Sequence, residues 1–241
     1  IPVVGIAGTR ENAFTARLVG WLLQLSGKLT GVASEQGMFL NNRQTQKTNT
    51  ANWAGAHRLL TNRLAQAAVI ETTARSILEE GLAYDRCLVG VVTDVDGFDA
   101  LADHDVREQG QMTRVMRTQI DVVLSEGAGV LNADEEQVVD LARLCDGEVL
   151  LYSTQADNAH IATHRADNAE GRAVFVKNNQ VILATGAQER VLGTLDALSL
   201  PGGRRPDTPA LLAAIAAAWS MDIAPDLIGA GIKTFEYTPA A

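Results

Sequence analysis

Residues 2–15, Pro2-Val3-Val4-Gly5-Ile6-Ala7-Gly8-Thr9-Arg10-Glu11-Asn12-Ala13-Phe14-Thr15, decide how the chain is read. Pro2 to Ala7 is a short apolar run that stops at Gly8, the pattern of a strand buried on both faces. From Phe14 the apolar side chains return at helical spacing, at Leu18, Trp21, Leu22 and Leu25, and Ser26-Gly27 closes that helix. A buried strand, a loop opened by glycine and a helix N-terminus together suit an anion. Backbone N–H groups converge there, and the helix dipole favours negative charge.

Working outward, strand and helix patterns alternate. Trp53–Leu64 reads as a helix, Ala67–Ile70 as a buried strand, Leu88–Thr93 as another, and Val106–Leu124 as a long helix. Gly129–Leu131 is a strand, Glu135–Cys145 a helix and Glu148–Tyr152 a strand. This alternation predicts an α/β fold: a mostly parallel sheet flanked by helices. Val32–Leu40 with Asn41-Asn42 reads as a hairpin, and residues 44–52 as loop. Residues 172–196 form two β runs around Asn178-Asn179, a second hairpin. Pro201-Gly202-Gly203 is a loop, and Thr208–Trp219 and Pro225–Phe235 are helices. Sparse proline leaves no linker, so residues 1–241 are expected to form a single domain: an α/β core at 1–152, a β-rich excursion at 153–200 and closing helices at 201–241. The start at Ile1 and the end at Ala241 suggest a piece of a longer protein.

The 241 residues are enough for a full core, and 46% hydrophobic with 20% charged residues are ordinary globular proportions. A net charge of −9 disfavours nucleic acid as the main partner. No apolar run approaches the roughly 20 residues that cross a bilayer. Cys87 and Cys145 imply no disulfide framework, and a reducing cytoplasm is the expected location.

A phosphate-binding loop of the form G-x-x-x-x-G-K-[ST] uses its second glycine for close approach, its lysine for the β/γ-phosphates and its hydroxyl for Mg²⁺. Here those three positions are Glu11, Asn12 and Ala13. Glu11 brings negative charge to a site built for phosphate. Arg10 is a substitute cation two positions early.

At this point the chain resembles the Mur-ligase superfamily, and within it the middle domain of cyanophycin synthetases, a P-loop NTPase-like fold. The family run GTNGKTTT corresponds to Gly8–Thr15. Ala68-Val69-Ile70-Glu71-Thr72 with Ile77–Leu82 resembles AVLETARGGILREGL, and Tyr84–Cys87 with Val89–Thr93 resembles FDRCDVGVVTNI. Val130–Glu135 resembles VLNADD, and Ala213–Trp219 resembles the helix near the domain's end. The resemblance implies an ATP-dependent acid–amino acid ligase that adds arginine to poly-aspartate, with an ATP-grasp module and a Mur-type third domain as partners in a longer chain.

The departures fall on the chemistry. Besides Asn12 and Ala13, Ala100 stands for a metal-binding histidine, Met116 for the lysine of ARVK and Asp94 for the asparagine of TNI. What the resemblance leaves is a vestigial nucleotide site at Gly8, Thr9, Arg10, Asn12, Thr15, Asn132 and Asp134, with Glu71 as a remnant metal ligand. The expectation is a degenerate, structural module with no intact catalytic residue and no cofactor, or ATP and Mg²⁺ if the family activity persists. Possible further partners are a second copy and a peptide polymer. The alternatives are the ligase itself and a regulatory module binding adenine nucleotide through Asn132 and Asp134.

Other features invite plainer readings. His160 and His164 are spaced i, i+4, as metal ligands on one helix face would be, but no third ligand is near in sequence. The acids Asp94, Asp96, Asp99, Asp103 and Asp105 fit no EF-hand pattern and read as a solvated loop. Arg204-Arg205 reads as surface, and Trp53 and Trp219 as core positions.

Overall fold

The computed structural model describes residues 1–237. Its centre is one 11-stranded sheet in the order β11-β10-β9-β8-β7-β6-β1-β5-β2-β3-β4. β1 (Val3–Ala7) lies between β5 (Ala67–Thr72) and β6 (Cys87–Val92), parallel to both, with Ile6 opposite Glu71 and Val91. β2 (Thr30–Ser34), β7 (Val123–Asn132), β8 (Glu148–Ser153) and β9 (Arg172–Lys177) continue the parallel register outward. Antiparallel strands finish both edges: β3 (Gly37–Leu40) and β4 (Arg43–Gln46) on one side, β10 (Gln180–Thr185) and β11 (Gln188–Thr194) on the other.

Alternation along the strands divides the core. Val4 and Ile6 of β1 face α1 (Asn12–Leu25), α7 (Thr208–Ser220) and α8 (Pro225–Thr234). Ala7 and, on β6, Val92 belong to the opposite layer, with Met112, Met116 and Ile120 of α4 (Gln109–Asp121). Val3, Ala68 and Ile70 pack with Leu59 of α2 (Trp53–Leu60). α7 is buried continuously from Ala210 to Ala218, which explains its run of alanine and leucine: small side chains let it lie between the sheet and α1.

The expected α/β class is the one observed, with local differences; the helix expected over Glu135–Cys145, for one, is a short α-helix at Glu136–Val139 followed by a 3-10 turn at Asp140–Leu144. Residues 153–200 are no excursion. Leu150 and Leu151 of β8 pair in parallel with Arg172 and Ala173 of β9, so the hairpin continues the main sheet. The segment 44–52 begins with a strand, β4. Its residues Arg43-Gln44-Thr45-Gln46 sit on an exposed edge and carry no apolar alternation to read. The helix expected over 106–124 is confined to α4, and Val123 already starts β7. Short α3 (Ala74–Glu79), capped by Thr73 Oγ1 at 3.2 Å from Ser76 N, was not read at all. Among the described residues no helix is long and apolar enough to cross a membrane.

Candidate functional site

Sheet connectivity changes direction at β1. The chain leaves β1 through α1 for β2 on one side, then passes from β5 to β6 on the other. In open α/β sheets the crevice outside the strand ends at such a point is where ligands bind. Here it is formed by the Gly8–Glu11 loop.

The loop keeps a tight path despite its substitutions. Gly8 has φ +135°, and a Cβ there would lie 2.0 Å from Thr93 Oγ1, so only glycine fits. Glu11, where the motif has its second glycine, is left-handed (φ 50°, ψ 31°) and stands at the N-cap of α1. A non-glycine residue there carries strain of order 1–2 kcal/mol. No side chain caps α1 among the described residues. Helix α1 itself starts at Asn12, earlier than the apolar spacing indicated.

An internal carboxylate lies against this loop. Asp94 is fully buried just beyond β6. Thr9 N–H donates to both of its oxygens, at 3.1 and 2.9 Å, and Arg10 N–H to Oδ2 at 3.1 Å. The Thr9 hydroxyl (2.8 Å), the Thr93 hydroxyl (2.8 Å) and Asp96 N–H (3.2 Å) complete the shell. All of these partners are donors. Asn132 ties the next strand in, its Nδ2 donating to Thr93 O at 2.9 Å.

Arg10 turns outward from the loop. Its Nη2 lies 2.5 Å from Asp96 and 2.8 Å from Glu135, which hold its pKa above the usual guanidinium range. Thr15 faces away from the crevice: its fully buried hydroxyl lies 3.4 Å from Glu11 O and 3.3 Å from Ala210 O of α7. Its place in the expected nucleotide site is therefore corrected. One helical turn past the loop, it belongs to the α1–α7 contact.

Beside the loop is a cavity of about 300 Å³ whose lining includes Thr9, Asn12, Glu35, Glu71, Arg75 and Met112. Asn12 is buried, with Oδ1 3.0 Å from Thr93 Oγ1, and its Nδ2 finds no partner among the described residues. Glu71 is 5% exposed and accepts Glu35 N–H at 2.9 Å. Burial is the main reason its carboxyl is pushed up to about 7, and the nearby Glu35 charge adds to the effect. Arg75 is committed to Asp103 (2.8 Å), Glu79 (3.3 Å) and the Ala100 carbonyl (2.8 Å). His104 joins that cluster, 3.0 Å from both Arg75 and Glu79.

The structure thus gathers Gly8, Thr9, Asn12 and Glu71 around one cavity. Asp134 stands apart, accepting from Thr154 N–H (2.8 Å), the Thr154 hydroxyl (2.7 Å), Asn158 Nδ2 (3.3 Å) and the Ser153 hydroxyl. Ala100 is part of the cavity lining. Met116 is not: it is fully buried in the core below, and Met112, one turn earlier, is the α4 residue that reaches the lining. Glu35 was missed because it lies in a β2–β3 turn with no motif of its own. The rule that sites form where parallel strands end would have found both Glu35 and Thr73. His160 and His164 share α6 (Ala159–Asp167), both half-buried, and no group of three metal-ligating side chains occurs among the described residues. Trp53, expected in the core, is 37% exposed and stacks on His57.

No family model matches the chain. In sequence it is 31% identical over 240 residues to the cyanophycin synthetase of Crocosphaera subtropica, and 30% identical over 239 residues to that of Geminocystis herdmanii. Both alignments take in 98% of this chain and 27% of the relative, so the chain spans about a quarter of their length. In structure, a UDP-N-acetylmuramoyl-L-alanyl-D-glutamate–2,6-diaminopimelate ligase superposes on 100% of this chain and 47% of its own, with a TM-score of 0.70 at 13% identity. The fold is that of a Mur-ligase middle domain. The chain is related in sequence to cyanophycin synthetases. In this domain the Gly8–Glu11 loop carries a left-handed Glu11, and its Thr9 and Arg10 N–H groups are taken up by the buried Asp94 carboxylate.

Proposed function

We propose that this Mur-ligase-type domain is a structural module of a cyanophycin-synthetase-like chain and does not turn over ATP. One observation carries the reading: the crevice has no uncommitted cation among the described residues. Arg10 is held by Asp96 and Glu135, Arg75 by Asp103 and Glu79, and the remaining charged groups of the lining are Glu35 and Glu71. ATP carries about four negative charges, and each missing charge-assisted hydrogen bond forfeits roughly 1.5–3 kcal/mol. Phosphoryl transfer depends on positioning and charge neutralisation, so a crevice that supplies acids in place of cations lacks its main means of catalysis.

Other domains of a longer chain are the natural partners of such a module. Its sheet and buried α7 would provide a rigid body for them to rest on. The test is isothermal titration with ATP, with and without Mg²⁺. No binding up to millimolar ATP is the expected result, and Mg²⁺-dependent micromolar binding would overturn the reading.

An ATP-dependent amide ligase, adding arginine to poly-aspartate, is the second reading. It is favoured by Glu71, which lines the cavity with a metal ligand's chemistry, and by Glu11, whose left-handed backbone is the conformation a glycine takes readily at that position. Arginine incorporation mapped to this domain would establish it. Recognition of adenine nucleotide has less support, because Asn132 and Asp134 are engaged with Thr93, Ser153, Thr154 and Asn158.

A further inference from the structure

The donors that a phosphate would use are already partly occupied. Thr9 N–H, Arg10 N–H and the Thr9 hydroxyl converge on one buried carboxylate, Asp94, and three separate donors at 3.1 Å or less is the coordination an anion receives in a loop of this kind. The carboxylate belongs to the chain itself and comes from the neighbouring strand, 84 and 85 residues further along the sequence. Just beyond it, among the described residues, the first turn of α1 carries no side-chain cap, and Asn12, 3% exposed, keeps one end of its amide without a partner. Turning that amide over places Nδ2 against Thr93 and leaves Oδ1 unpartnered instead, so one end remains free in either orientation.

We propose that Asp94 is a built-in counter-anion: its carboxylate holds the loop by the contacts a phosphate would make, and its charge keeps free phosphate-type anions out of the adjoining α1 N-terminus. The inference rests on the reading of the crevice as one that does not take nucleotide, and deepens it by naming the group that keeps anions out. Two facts make Asp94 the deciding residue. It is fully buried, so its field is little screened by water. Among the described residues it is also the one carboxylate that touches the loop backbone, whereas Asp96 and Glu135 meet only the Arg10 guanidinium on the outside. Glu11, the other acid of the loop, contributes its backbone carbonyl to Thr15 N at 3.0 Å and is exposed.

The experiment compares the wild-type chain with Asp94→Asn and Asp94→Ala. Inorganic phosphate and pyrophosphate are the probes, without Mg²⁺, and the readouts are the amide NMR shifts of Thr9 and Arg10 and the thermal midpoint. Wild type is expected to show no saturable shift. Asp94→Asn keeps the shape and loses the charge, and is expected to bind pyrophosphate at least tenfold more tightly than wild type. Asp94→Ala is expected to be rescued by added anion, its midpoint rising about 3 °C at ten times the dissociation constant, while wild type in the same buffer moves by no more than about 1 °C. Acetate should rescue Asp94→Ala too, because it restores the missing group. If Asp94→Ala does not fold, the Asp94→Asn titration decides alone.

Equal responses from wild type and Asp94→Asn would overturn the proposal and leave the structural-module reading standing. Mg²⁺-dependent ATP binding by wild type would overturn that reading. The counter-anion role would then survive only if Asp94→Asn still tightened pyrophosphate tenfold.

Discussion

Asp94 and Glu71 flank the same strand. One lies just past β6, the other near the end of β5, and both are almost entirely out of water. Asp94 receives three backbone N–H groups and two hydroxyls. Glu71 receives one N–H, from Glu35, and shares the cavity lining with that second acid, whose charge acts on it. Equal burial therefore has opposite consequences. The first carboxylate is a structural fixture of the loop, whereas the second is a strained ionisable group beside a cavity. The fold has closed one half of the crevice with its own side chains and left the other half open.

The sharpest way to break this comparison is to rebuild the loop. Glu11→Gly, Asn12→Lys, Ala13→Thr and Asp94→Asn together remove two negative charges and restore a cation and a hydroxyl. Binding of MgATP should go from undetectable at millimolar concentration to a dissociation constant near or below 100 µM, a gain of at least about 1.4 kcal/mol that one or two charge-assisted contacts can supply. Calorimetry reads it directly, and a silent quadruple variant would place the defect outside the loop, at Ala100 or the Glu71 side. Next in size, Asp94→Ala leaves Thr9 N–H, Arg10 N–H and Asp96 N–H without their acceptor. Denaturant unfolding should show a loss of about 4 kcal/mol, with Asp94→Asn losing roughly half of that.

Glu71 should respond with the opposite sign. Its folded carboxyl is raised from 4.5 to about 7, so the neutral form is the one folding prefers. No penalty exists below pH 4.5. It grows as pH rises toward 7 and levels off above. Glu71→Gln keeps an acceptor for Glu35 N–H and removes the charge. It should raise stability at pH 8 by up to about 3 kcal/mol, and the pH dependence between 4.5 and 7 should flatten. A variant less stable than wild type at pH 8 would mean that the Glu71 carboxylate has a stabilising partner, and the contrast with Asp94 would fail.

Much of this arrangement was legible beforehand because buried parallel strands and amphipathic helices leave strong periodic signals: β1, α1, β5, β6, β8, α7 and α8 all appear within a few residues of their read positions. Edge strand β4 was invisible because Arg43-Gln44-Thr45-Gln46 buries no alternating face. At the site, the strand–glycine–helix pattern marked the loop, and Glu71 was singled out by the family resemblance. The role of Asp94 was not, because the departure from asparagine announces a charge but not which N–H groups meet it. That pairing is set by how closely β1 and β6 bring the loop to Thr93-Asp94, a tertiary fact. The partners of Arg10 were unreadable for the same reason. Its position, two places early, left open a cation swinging in toward phosphate, and the pairs it makes are with Asp96 and Glu135, 86 and 125 residues away.

Arg10 supplies the smallest and most discriminating prediction. Its side chain is 42% exposed, as is that of Asp96 at 43%, so both ion pairs are partly screened and of the kind worth about 1 kcal/mol or less. Arg10→Gln should therefore lower stability by no more than about 1 kcal/mol at low salt, and by less in 1 M salt, where the Debye length falls to about 3 Å. Its backbone N–H still reaches Asp94, so the loop should keep its path, and the amide shifts of Thr9 and residue 10 should stay near their wild-type values. A large loss of stability would mean that the outward pairs, and not the Asp94 carboxylate, hold the loop. A variant that is stable but loses affinity for an added anion would mean that Arg10 swings inward when one arrives. The closed half of the crevice would then be a gate worked by Arg10, and the difference between Asp94 and Glu71 would be one of state and not of construction.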